Sequence, residues 1–444
     1  MIFGVLLLSV EAQETLGLNE AESAQVRIRS SSTILQTTKL VANDGAMDDQ
    51  FGRSVAISGD LVVVGAAGDD DQGGLSGSAY VFARNQGGPN AWGQIAKLTA
   101  NDGTVGDSFG LSVSVSGDLV VVGAPADNNS GSAYVFARNQ SGPNAWGQVA
   151  KLTTNDVVAN DAFGTSVSIS NDQVVVGASR GHISNTGSAY VFARNQGGSN
   201  AWGQVAKLIA NDGMAGDFFG VAVSISGDQI IVGAPDNDDQ GNNSGSAYIF
   251  ARNQGGPDAW GQVAKLLASD GAANDHFANA VSISSDQVVV GAALDSDQGS
   301  SSGSAYIFAR NQGGPNAWGQ VAKLIANDGM AGDFFGGFGD AVSISGDQIA
   351  VGAFGDNDRG SASGSAYVFA RSQGGSNTWG QVAKLTANDG MTGDNFGFSV
   401  AISANQMVIG AYQDDIRGSG SGSAYLFQGG DNGDSVIFRD GFEP

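Results

Sequence analysis

Internal repetition constrains this chain more than any other feature: a unit of about 57 residues recurs seven times along 444 residues. The dipeptide Phe-Gly falls at Phe51, Phe109, Phe163, Phe219, Phe338 and Phe396, with Phe277-Ala278 in its place in the fifth copy. A Gly-Ala pair ends an apolar run at Gly65, Gly123, Gly177, Gly233, Gly291, Gly352 and Gly410. The segment Gly-Ser-Ala-Tyr follows each time, with its tyrosines at Tyr80, Tyr134, Tyr190, Tyr248, Tyr306, Tyr367 and Tyr425. Length alone would suggest two or three domains, but repetition on this scale overrules that expectation. Gly (69 residues) and the near absence of Pro (7) do not make the chain low-complexity, because 41% hydrophobic residues can supply a core.

Within one copy, SVAIS, LVVVGA, GSAYVFA and GQIAKL (residues 54 to 98 in the first) are each five to seven residues long. They are rich in Val, Ile, Tyr and Phe and bounded by Gly, Asp or Asn, and no stretch of helical period competes with them. Four strands per unit of this length make a propeller blade. The fourth strand opens with tryptophan at Trp92, Trp146, Trp202, Trp260, Trp318 and Trp379, six times against seven for the other elements. The missing strand lies at the other end of the chain. Residues 34 to 40 (ILQTTKL) align with WGQIAKL and lead into Asn43 and Asp44, as Leu98 leads into Asn101 and Asp102. The expected fold is therefore all-β: a seven-bladed β-propeller over residues 33–429, four antiparallel strands per blade, with the N-terminal strand closing the last blade at residues 399 to 427. A ring closed this way leaves no strand edge free to aggregate, and the small residues of Gly-Ala and Gly-Ser-Ala suit crowded backbones near the axis.

Phe-Gly opening the first strand and Gly-Ala-Pro closing the second (Gly123 to Pro125, Gly233 to Pro235) resemble the FG-GAP repeat of integrin α-chain propellers and their bacterial relatives. The likeness runs over residues 33 to 427, although the third residue varies to Ala67, Ser179, Ala293, Phe354 and Tyr412. The resemblance implies a propeller used for extracellular adhesion or recognition, often with calcium in its loops. In the integrin pattern the calcium loop lies between the first and second strands. Here that connection is a tight turn such as Ser58 to Leu61 or Ser226 to Gln229, so the family's calcium ligands do not carry over.

Charge narrows the partners. A formal net charge of −24 and a pI near 4.1 repel nucleic acid and anionic membranes, and favour cations and basic surfaces. The absence of cysteine excludes disulfides, zinc–thiolate sites and thiol nucleophiles. The apolar run Met1 to Val10 is long enough for a signal-peptide core and too short to span a bilayer, so residues 1–12 are expected to be a signal-peptide remnant and 13–32 a polar linker. Residues 430–444 are expected to be a C-terminal tail, in which Asp431 to Pro444 resembles short terminal signals of secreted bacterial proteins, packing on the last blade being the alternative; the expected location is extracellular or at the cell surface.

In an antiparallel blade, the loop from second to third strand and the connection to the next blade emerge on one side of the disc. Both loop sets are acidic and together hold more than half of the 44 acidic residues. The runs at 68 to 74, 236 to 242, 294 to 300 and 355 to 361 combine spaced carboxylates with Gly, which is what a hard divalent cation takes. Asp69, Asp71, Asp236, Asp238, Asp239, Asp295, Asp297, Asp356 and Asp358 are therefore candidate calcium ligands. Solvated acidic turns that keep the surface soluble are the competing reading. The aspartate two places before Phe (Asp49, Asp107, Asp161, Asp217, Asp275, Asp394) recurs too often to be a site and is expected to cap turn amides. The repeated Trp is expected to serve blade packing and not as a ligand platform, and the Arg-Asn-Gln-Gly-Gly stretch (residues 84 to 88 and later copies) to form a solvent loop on the opposite face.

Nothing points to catalysis. The two histidines, His182 and His276, lie in different units, and the Gly299, Ser301, Gly303 string sits in a polar loop without a nucleophile elbow. Irregularities are confined to Ser179–Thr186 and a three-residue insertion at Gly336 to Phe338. The expected role is a binding or adhesion module for a protein or polysaccharide, engaged through the acidic loop face with calcium assisting. A polysaccharide-acting enzyme using loop carboxylates and a self-assembling surface protein are the alternatives.

Overall fold

The computed structural model describes residues 34–429 apart from 141, 143, 157, 182, 197 and 373–377. The N-terminal apolar run, the linker, the C-terminal tail and His182 lie outside the described residues. The described chain forms seven separate four-stranded antiparallel sheets, each one blade. Blade one is made of Phe51–Ser58, Leu61–Ala66, Ser78–Arg84 and Trp92–Leu98 in that order. Among the described residues the only helical segments are the short 3-10 turns Asp127–Asn129 and Ile183–Asn185.

The seventh sheet confirms the closure read from the sequence. Ile34–Leu40 pairs antiparallel with Ser423–Gly429, from Ile34 opposite Gly429 to Leu40 opposite Ala424. A bulge at Thr37 shifts that register between Gln36 and Thr38, and the same shift recurs in the fourth strand of blade one between Gln94 and Ala96. The N-terminal strand is thus a fourth strand in detail as well as in order. Gln36 repeats its role too: its Oε1 accepts the Asn388 amide at 2.9 Å, as Gln94 accepts Asn43 at 2.9 Å and Gln148 accepts Asn101 at 2.9 Å. Six of the seven outer strands so clasp the loop leaving the preceding blade.

The core lies between blades. Second strands such as Leu61–Ala66 are buried at every position, because both of their faces meet a neighbouring sheet. The opening Phe51 is fully buried, 5.5 Å from the Tyr80 ring and 5.9 Å from Phe82 in edge-on geometry, and the pattern repeats around the ring. The six tryptophans are partly buried against the inter-blade clusters, and Ile34 occupies that position in the closing strand. Crowding explains the glycines: a Cβ on Gly65 would lie 2.0 Å from the Gly110 carbonyl oxygen of the next blade.

Blade six corrects one assignment. Its opening aromatic is Phe335, not Phe338: Phe335 is fully buried and stands 5.5 Å from Tyr367 and 5.8 Å from Phe369. The sequence offers Phe-Gly twice, at 335–336 and 338–339, and only the first reaches the core. The inserted residues are therefore 337–339, and the blade's pre-Phe aspartate is Asp333, which is buried like its equivalents.

Candidate functional site

The loop face is built on one side chain per blade that the sequence motifs do not single out: the lysine of WGQIAKL. Alternation along the fourth strand sets Lys97 beside Tyr80 of the third, its cross-strand partner, with Nζ 5.2 Å from the ring centroid. There Lys97 meets Asp44 at 2.8 Å, Asp69 at 2.9 Å and Asp71. Tyr80 donates its hydroxyl to the buried Asp69 carboxylate at 2.7 Å. Burial works against the Lys97 charge, but hydrogen bonds to Asp44, Asp71 and Asp69 outweigh it and raise its pKa above the ordinary lysine value. For Asp44 the balance runs the other way: burial pushes its pKa up, and the Lys97 contact more than reverses that.

The same seat is furnished unequally around the ring. Lys323 contacts Asp270 at 2.7 Å, Asp295 at 3.0 Å and Asp297 at 2.5 Å, and Lys384 contacts Asp328 at 2.7 Å, Asp356 at 2.9 Å and Asp358 at 2.6 Å. Lys151 meets Asp102 and Asp127, both at 2.6 Å, and Lys39 of the closing strand meets Asp389 and Asp414, both at 2.7 Å. In blade four the buried position is Asn237, and Lys265 turns to Asp212 and Asp239. In blade three it is Gly181, whose carbonyl accepts the Gly187 amide as Asp69 accepts Gly77, and Lys207 keeps its ion pair with Asp156.

Of the nine candidate calcium ligands, Asp69 with Asp71, Asp295 with Asp297, and Asp356 with Asp358 converge in pairs. Each pair is joined by an inter-blade aspartate absent from the sequence-based set: Asp44, Asp270 or Asp328. Only Asp270, Asp295 and Asp297, and Asp328, Asp356 and Asp358, bring three carboxylates within 4.8 Å of one another among the described residues. Those two triads are the residues that fit a divalent cation, although in each an ammonium already neutralises part of the charge. Asp236, Asp238 and Asp239 diverge: the first faces His276 Nδ1 at 3.1 Å, the second accepts the Asn243 amide at 2.8 Å and the third meets Lys265. The lysine recurring three residues before the inter-blade Ala or Thr was the signal that could have located the seat.

The pre-Phe aspartates are structural. Asp49 accepts the Ala46 amide at 2.6 Å, Asp107 that of Thr104 at 2.6 Å and Asp333 that of Met330 at 2.7 Å. Burial, with the nearby Asp69 and Asp70 charges adding to it, pushes the Asp49 carboxyl up to about 6. On the opposite face, the Arg-Asn turns hold exposed pairs such as Arg138–Asp118 and Arg310–Asp286, both at 3.3 Å.

Sevenfold regularity breaks at the axial end of the loop face. Phe334 and Phe338 of the insertion region gather with Phe354, which follows the Gly-Ala of blade six, and the Phe334 and Phe354 rings are parallel at 5.0 Å. Phe398 lies 5.5 Å from Phe354 and 4.5 Å from Tyr412 of blade seven. The Arg53 guanidinium of blade one covers Phe398 and Tyr412 at 5.1 and 5.2 Å. All six side chains are half-buried. Asp340 accepts the Ser54 hydroxyl at 2.5 Å, from blade one to blade six past the intervening blade, and its desolvation pushes the carboxyl up to about 6. Residues at the position of Arg53 in blades two to five are Leu111, Thr165, Val221 and Asn279, none of them aromatic, so the aromatic wall belongs to blades six and seven alone.

The family comparison agrees with this architecture. A model of the FG-GAP repeat matches residues 34–82, 92–136, 146–192, 202–250, 260–308, 318–369 and 379–427. No curated protein matches the chain. Among solved structures, Saccharomyces cerevisiae Sqt1 is similar at 11% identity and a TM-score of 0.45, over 85% of this chain and 83% of that one. No helix among the described residues is long and apolar enough to cross a membrane.

Proposed function

The chain belongs to the FG-GAP repeat family, and on that premise we propose that it is a non-catalytic binding or adhesion module of the extracellular space or cell surface, recognising a protein or polysaccharide through its acidic loop face. The observation that carries this reading is the contrast between the two faces. On the far face an arginine meets a single aspartate in exposed bridges such as Arg138–Asp118, and Arg252 alone meets two, Asp228 and Asp258, among the described residues. On the loop face one lysine per blade meets two or three carboxylates in most blades, and the exposed Asp48, Asp70, Asp238 and Asp415 add to the surplus. A concentration of one charge sign on one face steers a complementary partner.

The test is a screen of glycans and matrix proteins against the immobilised protein, repeated with Asp70→Asn/Asp238→Asn on the loop face and Asp258→Asn on the far face. Binding weakened by the first variant and unchanged by the second supports the reading; the reverse contradicts it. Calcium is proposed to assist at Asp270, Asp295 and Asp297 and at Asp328, Asp356 and Asp358, where it would displace Lys323 or Lys384. A ligand that binds only the native state raises Tm. An unchanged Tm at saturating calcium removes the metal from the proposal.

A further inference from the structure

We propose that the aromatic wall at the axial end of the loop face, formed by Phe338, Phe354 and Phe398 with Arg53 and Asp340 beside it, is a subsite for an uncharged glycan. The inference rests on the loop-face reading and says where on that face the ligand sits and what its chemistry is. Half-buried rings offer the flat apolar area on which the C–H face of a pyranose stacks, whereas Phe335 beside them is fully buried in the core. Guanidinium and carboxylate groups beside such rings give hydroxyls a donor fork and an acceptor. Arg53 already lies against Phe398 and Tyr412, and Asp340 is held by Ser54, so both groups are positioned before a ligand arrives.

Charge selects the class of glycan. Arg53 and Asp340 balance within the wall, which suits a neutral ligand. The surrounding carboxylates, in a chain of net charge −24, disfavour uronic acids and sulfated sugars. The wall also breaks the sevenfold symmetry, as a site for one ligand must. It arises where a three-residue insertion, an aromatic in place of the proline of Gly-Ala-Pro, and Phe398 coincide in adjacent blades.

The experiment is calorimetric titration of the full-length protein with laminarihexaose, cellohexaose and chitohexaose, alongside hexagalacturonate and hexalysine. The variants are Phe338→Ala, Phe354→Ala and the loop-rim pair Asp70→Asn/Asp238→Asn. Phe338 lies in the insertion, outside the inter-blade core, so its variant retains the fold if Phe354→Ala does not. The expected result is that at least one neutral hexamer binds, is weakened at least tenfold by the Phe variants, and is little changed by the rim pair. Absence of binding by all three neutral hexamers, or binding indifferent to Phe338→Ala, overturns the proposal. Binding lost in the rim pair but kept in the Phe variants overturns it while leaving the loop-face reading intact. Tighter binding of hexalysine that depends on the same Phe residues would reassign the wall to a cationic peptide and overturn it equally.

Discussion

At the scale of single residues, the loop face is governed by a lysine that serves as the cation of its own acidic loop. Removing one partner of a partly buried ion cluster leaves charge without compensation, and such losses cost a few kcal/mol. Lys323→Ala strands Asp270, Asp295 and Asp297, of which Asp295 is buried, and is expected to cost about 2–3 kcal/mol in denaturant unfolding. Lys207→Ala, whose lysine is paired with Asp156, should cost clearly less. Equal effects would contradict the account. Titration gives a second expectation. Asp49 and Asp394 have carboxyls pushed up to about 6 by burial, each with further acidic neighbours, against an ordinary value of 3.8. The folded chain therefore binds these protons more tightly than the unfolded one, and stability grows as pH falls from 7 through 6. Asp44, Asp102, Asp156, Asp212, Asp270, Asp328 and Asp389 have lowered values, so the stability they contribute is lost as pH falls below the ordinary carboxylate range. Tm should pass through a maximum on the acid side of neutrality, and Asp49→Asn/Asp394→Asn should flatten the rise between pH 7 and 5. A Tm that falls steadily from pH 7 downwards would refute this.

At the scale of elements, the repeated motif is a description of blade-to-blade contact. The Gly of Gly-Ala meets the Gly of the next Phe-Gly backbone to backbone, so Gly65→Ala, with its added carbon 2.0 Å from the Gly110 oxygen, must push neighbouring blades apart. We expect a loss of about 3 kcal/mol in chemical denaturation, near the upper end for overpacking; a loss below 1 kcal/mol would mean the blades separate readily. The motif spacing made strands, blade number and closing strand legible, because each is a local pattern repeated seven times. Blade six resists the same reading for a local reason: Phe334, Phe335 and Phe338 stand within five residues, and spacing does not say which one is buried. The ligand grouping was half legible. Asp295 and Asp297 are neighbours in sequence, but Asp270 and Lys323 reach them from other elements, one from the connection between blades. The aromatic wall was illegible, since its members run from Arg53 to Tyr412, its rings meet only across two packed blades, and Arg53 joins them only when the ring closes.

At the scale of the whole molecule, closure decides everything that depends on position. It brings Arg53 of blade one against Phe398 and Tyr412 of blade seven. Without residues 34–40, Ser423–Gly429 becomes an unpaired edge strand and Asp414 loses Lys39. A chain lacking residues 1–40 is expected to associate with itself and to melt well below the intact protein. The natural absence of cysteine permits a direct test of the closure itself. Leu35 and Gln428 are cross-strand partners in the closing pair, and a Leu35→Cys/Gln428→Cys variant would place two thiols in register at opposite ends of the chain. Under mild oxidation of the native protein, the account predicts near-complete intramolecular disulfide by mass spectrometry and a raised Tm, as expected for so long a covalent loop. Two thiols that stay free until the protein is denatured, or that link only between molecules, would contradict it.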